Sequence, residues 1–248
     1  MVQRLNNLFC ILLVMLNFFA LSQENNATNQ NKNPVNELIN EHYSTRQLRG
    51  DIAKAQIQLL KNGGALLVRL KTNSNAISKL KEKGNYDLAT NVERETYLKN
   101  KVIVRGFINE FKFCPVYFFY SDFSDSVKYK RLENIFLDSN LLINPAILCK
   151  APFYLIAEQG SIYDLNNEFI SEANANSFSN IGNERKKVAI VIKNRFFNQL
   201  QRPFPYYQAG YSMKKYKLYV KKFNAVLENF YLKNNSFIMP DKVRQYVY

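Results

Sequence analysis

Two short apolar runs, Ala65 to Leu70 (Ala-Leu-Leu-Val-Arg-Leu) and Val116 to Tyr120 (Val-Tyr-Phe-Phe-Tyr), are separated by a long stretch of helical periodicity, and this constrains the fold more than any other feature. Runs that are apolar at nearly every position suit strands covered on both faces. Turn residues bound the first run: Asn62-Gly63-Gly64 before it and Asn73-Ser74-Asn75 after it. Pro115 opens the second. A strand, a helical crossover and a second buried strand form a βαβ unit, in which the strands are parallel and the connection right-handed.

Flanking patterns extend this unit. Ser44 or Thr45 can cap a helix that carries Leu48, Ile52, Ala55 and Leu59 at helical spacing and leaves at Asn62-Gly63. The crossover reads as a short helix from about Ala76 to Lys83, closed by Gly84, and a longer one from about Asp87 to Phe111. The apolar positions of the longer helix are Leu88, Val92, Leu98, Val102, Ile108 and Phe111. After Tyr120 the rhythm changes to short strands at Ile135 to Leu137, Phe153 to Ala157, Ser161 to Tyr163 and Val188 to Ile192. Their connections read as hairpins or irregular loops, which predicts an antiparallel extension of the sheet, with Asn166 to Asn183 as a mobile loop. Pro203-Phe204-Pro205-Tyr206-Tyr207 reads as a stiff aromatic corner. Met213 to Lys233 reads as an amphipathic helix with Tyr216, Tyr219, Val220, Phe223, Val226, Leu227, Phe230 and Tyr231 on its apolar stripe. The expected fold is therefore α/β: a mixed sheet with a βαβ N-terminal half, antiparallel C-terminal strands and a C-terminal amphipathic helix.

The first residues read as an export signal. Arg4 supplies a positive charge, Leu8 to Leu16 is an unbroken apolar run, and Ala20-Leu21-Ser22 places small residues before a cut at Gln23. The run is shorter than the roughly 20 apolar residues a bilayer span needs. Residues 1–22 are thus expected to be a signal peptide, 23–36 a disordered leader of Asn, Gln, Lys and Pro, and 37–248 a single α/β domain. The expected localisation is periplasm, outer surface or medium. With 34 Lys and Arg against 20 Asp and Glu the chain carries +14, and cleavage would remove only Arg4 from this balance. Such a charge draws a protein to anionic partners. Export favours an anionic envelope polymer, glycan or lipid, or an acidic protein, and argues against nucleic acid.

In an oxidising compartment Cys114 and Cys149 can pair, although both positions also suit small buried side chains at strand ends. The lone histidine, His42, gives little material for triads or His-rich zinc sites. Motifs for phosphate-binding loops, dinucleotide binding and serine hydrolases are missing as well. The leading expectation is a non-catalytic binding or accessory protein without a cofactor.

Three constellations carry the chemistry. The first is Ser121-Asp122-Phe123-Ser124-Asp125-Ser126, directly after the second buried run, where loops of open α/β sheets converge on ligands. Asp122, Ser124 and Ser126 spell Asp-x-Ser-x-Ser, which resembles the metal-ion-dependent adhesion motif of von Willebrand A-type domains. That resemblance implies a divalent cation held by these three residues and completed by a partner's acidic group. It covers this motif alone, because that fold begins with its motif strand whereas here the strand is the second. Plain turn chemistry accounts for the same residues. The second constellation is acidic: Asp122, Asp125 and Glu158, with Asp138 and Asp164, fall near strand ends and would serve a metal-assisted hydrolase using Mg²⁺ or Ca²⁺, the alternative to a binding role. The third is basic and aromatic. Arg202, Tyr206, Tyr207, Lys214 and Lys215 form the expected anionic-partner site, with Arg195, Tyr211, Lys217, Lys221 and Lys222 close by in sequence.

Overall fold

A computed structural model describes residues 45–160, 188–210 and 212–247. The signal and leader, His42, Asp164, the strand at Ser161 to Tyr163 and the loop at Asn166 to Asn183 lie outside these residues. In chain order the elements are α1 (Thr45–Lys61), β1 (Ala65–Leu70), α2 (Ser74–Glu82), α3 (Tyr86–Glu110), β2 (Val116–Tyr120), a 3-10 turn (Ser121–Phe123), α4 (Ser124–Lys128), β3 (Phe136–Leu137), β4 (Tyr154–Gly160), β5 (Val188–Lys193), β6 (Tyr207–Gly210), a second 3-10 turn (Met213–Lys215), α5 (Tyr216–Lys233) and α6 (Asp241–Val247).

The strands form one mixed sheet in the order β3-β2-β1-β4-β5-β6. β1 sits at its centre and pairs in parallel with β2 on one side and β4 on the other, so that Leu67 lies between Tyr117 and Ile156. β3 joins β2, β5 joins β4 and β6 joins β5, all antiparallel. The chain thus has the expected βαβ half and antiparallel C-terminal strands. One pairing differs: β4, expected in the antiparallel extension, is parallel to β1. It reaches that position through the five-residue α4, β3 and irregular chain instead of a long helix, so no extended helical periodicity marks the crossover.

Alternation along each strand separates two cores. On one face Leu66, Val68, Leu70, Phe118, Leu155 and Ile190 pack against Ala53, Ile57 and Leu60 of α1, Ile103 and Phe107 of α3, and Tyr216, Val220 and Phe223 of α5. On the other, Leu67, Phe119, Tyr154 and Ile156 are covered by Val127 of α4 together with Ile135, Phe136 and partly buried loop residues such as Ile147 and Phe197. Helices therefore cover one face, and short irregular chain the other.

α3 turns a different side to the core from the one its apolar residues predict. Leu88, Leu98, Val102 and Ile108 are exposed, whereas Ala89, Thr96, Asn100, Ile103, Val104, Gly106 and Phe107 are buried. The buried polar pair has a task. Thr96 Oγ1 accepts from Asn73 Nδ2 at 2.8 Å, and Asn100 Nδ2 donates to the carbonyl of Lys71 at 2.9 Å, which fixes the turn that leaves β1. Gly106 lets α5 approach α3 closely: a Cβ there would lie 3.1 Å from the Tyr216 ring.

The proline-rich corner turns inward. Phe204 is buried, Tyr206 packs against the helical-face core, and Tyr207 opens the edge strand β6, which the sequence reading does not include. Among the described residues no helix is long and apolar enough to cross a membrane.

Candidate functional site

Because β1, β2 and β4 run parallel, their carboxyl ends lie at one edge of the sheet, and the chain leaves β1 toward β2 while β4 lies on its other side. Ligand crevices of open α/β sheets form at such a reversal. The residues here form two hydrogen-bonded groups. In the first, Arg69 Nη1 lies 2.9 Å from Glu158 Oε2 and Arg69 Nε donates to Ser124 Oγ at 3.0 Å, while Lys193 Nζ holds the other oxygen of Glu158. The register places Arg69 directly beside Glu158, and the Arg69 guanidinium lies 5.2 Å from the centre of the Phe197 ring. Burial pushes the Glu158 carboxyl up, but hydrogen bonds and charge from Lys193, then Arg69, outweigh it and hold the group below the usual carboxylate range. An ionised carboxylate with both oxygens engaged by cations is poorly suited to act as acid, base or metal ligand.

The second group closes the ends of β1 and β2. Thr72 Oγ1 donates to Asp122 Oδ1 at 2.6 Å, Ser121 Oγ donates to the same oxygen at 3.3 Å, and the Thr72 backbone N–H donates to Ser121 Oγ at 3.2 Å. These bonds tie the segment after β1 to the segment after β2, mostly side chain to side chain.

These contacts bear on two expectations. The three acids have separate partners: Asp122 accepts from Thr72 across the carboxyl ends of β1 and β2, Asp125 is exposed on α4, and Glu158 is engaged by Arg69 and Lys193. In the Asp-x-Ser-x-Ser stretch, Ser124 accepts from Arg69 and donates to the Ser121 carbonyl, so a guanidinium occupies the hydroxyl that the adhesion-type motif would offer to a cation; Ser126 lies in α4. Among the described residues no three His, Cys, Asp or Glu side chains are grouped to hold a metal ion. The possible Cys114–Cys149 bond is not made either. Both thiols are free, and they pack against opposite faces of the sheet, Cys114 on the helical side and Cys149 on the other. Burial pushes the Cys114 thiol up to about 12 and raises that of Cys149.

The sequence reading missed Arg69 and Lys193 as partners of Glu158. A signal was present, since each is a cation in or at the end of an apolar strand, and a charge carried into a buried sheet demands a counter-charge.

The basic and aromatic residues divide. Tyr206 and Tyr207 hold their rings 4.9 Å apart at the start of β6, and Arg202 is exposed. Lys214 and Lys215 lie past the other end of β6, in the 3-10 turn that Ser212 caps by accepting from the Lys214 N–H at 3.3 Å. There they join residues of the first two turns of α5 and the end of α3 to line an open groove: Glu110, Lys214, Lys215, Lys217, Leu218 and Lys221. Its one acid, Glu110, lies 3.1 Å from Lys217 Nζ. Lys214, Lys215 and Lys221 have no ion pair among the described residues. The first turn of α5 carries no acidic residue, so these lysines crowd the positive end of the helix dipole, an arrangement that costs stability in the absence of an anion.

Comparison of the chain with protein-family models, with curated proteins and with solved structures gives no match.

Proposed function

We propose that the protein is an exported, non-catalytic binding or accessory protein of the cell envelope that holds an anionic partner in the groove of Lys214, Lys215, Lys217 and Lys221. One observation carries this reading: four lysines at the start of α5 line an open groove whose single acid is already paired with one of them. The excess positive charge of the whole chain supports it, because a basic surface raises the local concentration of polyanions and speeds their capture. The signal-like N-terminal residues support an address outside the cytoplasm. The alternative of a metal-assisted hydrolase loses its main support with Glu158 locked between two cations.

Retention on a sulfated-glycan column tests the groove. The triple variant Lys214→Gln, Lys215→Gln, Lys221→Gln is expected to elute at clearly lower salt with an unchanged circular-dichroism spectrum, since all three side chains are exposed. Arg202→Ala with Tyr207→Ala serves as comparison and is expected to elute with the wild type. Loss of retention in that pair alone would move the site to the other end of β6.

A further inference from the structure

The outward face of α5 continues the lysine groove along the helix. Positions 218, 221, 222, 225, 226, 229, 232 and 233 fall within one broad arc at 100° per residue, and every one of these residues is exposed. Leu218 is 44 % exposed, Val226 40 % and Leu232 59 %, with Ala225 between them. Lys221 lies at one edge of the arc, Lys222 and Lys233 lie between Leu218 and Val226, Lys214 and Lys215 lie at its start, and no acidic residue falls within the arc. The one acid of α5, Glu228, is off the arc and bound to Lys61 at 2.9 Å.

We propose, building on the anionic-partner reading above, that this face of α5 lies on an anionic lipid bilayer, with Leu218 and Leu232 entering the headgroup boundary and the lysines meeting lipid phosphates. An exposed helix face that interleaves leucines with lysines and carries no acid suits a surface that is anionic at its headgroups and apolar beneath them. The cations of this face are all lysine, point charges that suit a diffuse anionic surface better than the bidentate recognition of one ligand. The arc contains no aromatic ring on which a sugar or base would stack. A second copy of the chain is disfavoured as occupant, because a two-fold contact would set lysine against lysine.

Vesicle co-sedimentation of the full chain decides the matter, with neutral phosphatidylcholine vesicles, vesicles containing a third phosphatidylglycerol, and soluble heparin as competing probes. Wild type and variants share residues 1–44, so the difference between them reports α5. Lys214→Gln, Lys215→Gln, Lys221→Gln is expected to lower partition onto anionic vesicles on the order of 100-fold, at several-fold per lysine, and to weaken heparin binding too. Leu218→Ser with Leu232→Ser is expected to lower vesicle partition tenfold or more, and Leu232→Ser alone, outside the groove, to lower it several-fold and leave heparin binding unchanged. If the leucine pair binds anionic vesicles as the wild type does while the lysine variant binds neither probe, the bilayer proposal falls and the anionic-partner reading stands. If the lysine variant binds both probes like the wild type, both fall.

Discussion

Glu158 is 8 % exposed and sits between Arg69, 26 % exposed in its side chain, and Lys193, 13 % exposed. Removing one partner of a buried pair leaves the other charge uncompensated. Glu158→Gln is therefore expected to cost about 2 kcal/mol at pH 7, less than for a fully enclosed pair because Arg69 reaches solvent. The carboxyl is held low in the folded state, so its contribution is present above the ordinary carboxyl pKa near ~4.3 and is lost as pH falls through the lower folded value. Melting temperatures between pH 3 and 7 check this: the wild type should lose stability more steeply below pH ~4 than Glu158→Gln. Cys114 behaves in the opposite sense. Its raised pKa keeps the folded thiol protonated, so its contribution is present below the unfolded value of 9.0 and lost as pH rises from there toward about 12. At pH 8 a thiol reagent should spare Cys114 in the native protein and modify it on unfolding, and the intact mass should show two unpaired thiols besides Cys10 or its removal. At this scale the sequence marked Glu158 as a strand-end acid but not its fate, because only strand pairing puts Arg69 beside it.

β6 and α5 approach closely at Gly210. A Cβ on Gly210 would lie 2.0 Å from Tyr219 ring carbons, and the Tyr219 hydroxyl accepts from the Ser212 N–H at 3.2 Å. Gly210→Ala must displace the buried ring or the edge strand, an overpacking cost of about 2–3 kcal/mol. Urea denaturation measures it, with Gly50→Ala, whose added Cβ would meet nothing within 4 Å, as the control. Most elements were legible in the sequence from periodicity and turn residues: α1, β1, β2 and α5 fall close to where the pattern puts them. α3 was legible as a helix but not in its orientation. Its long exposed residues make a plausible apolar stripe, whereas the side that meets the sheet is chosen by Gly106, which admits Tyr216, and by Thr96 and Asn100, which hold the β1 turn. β6 was hidden because two prolines just before it mask a strand of four residues.

At the level of the molecule, the described residues from Arg46 onward form one compact unit around a single sheet. The proposed export makes the checkable demand that protein recovered from the periplasm or medium begins at or near Gln23. An N-terminal sequence starting at Met1 would remove the address and the envelope partner with it. The sequence by itself determined the α/β class, the βαβ half, the amphipathic C-terminal helix and the surplus of positive charge, because these depend on residue type and local spacing. Tertiary structure alone decided that β4 pairs parallel with β1, that Asp122 bonds Thr72 and Glu158 pairs with Arg69 and Lys193, that the cysteines lie on opposite faces, and that Glu110 of α3 meets Lys217 beside the lysines that open α5. Each of these depends on which distant segments become neighbours, and that follows from how the whole chain buries its two apolar faces.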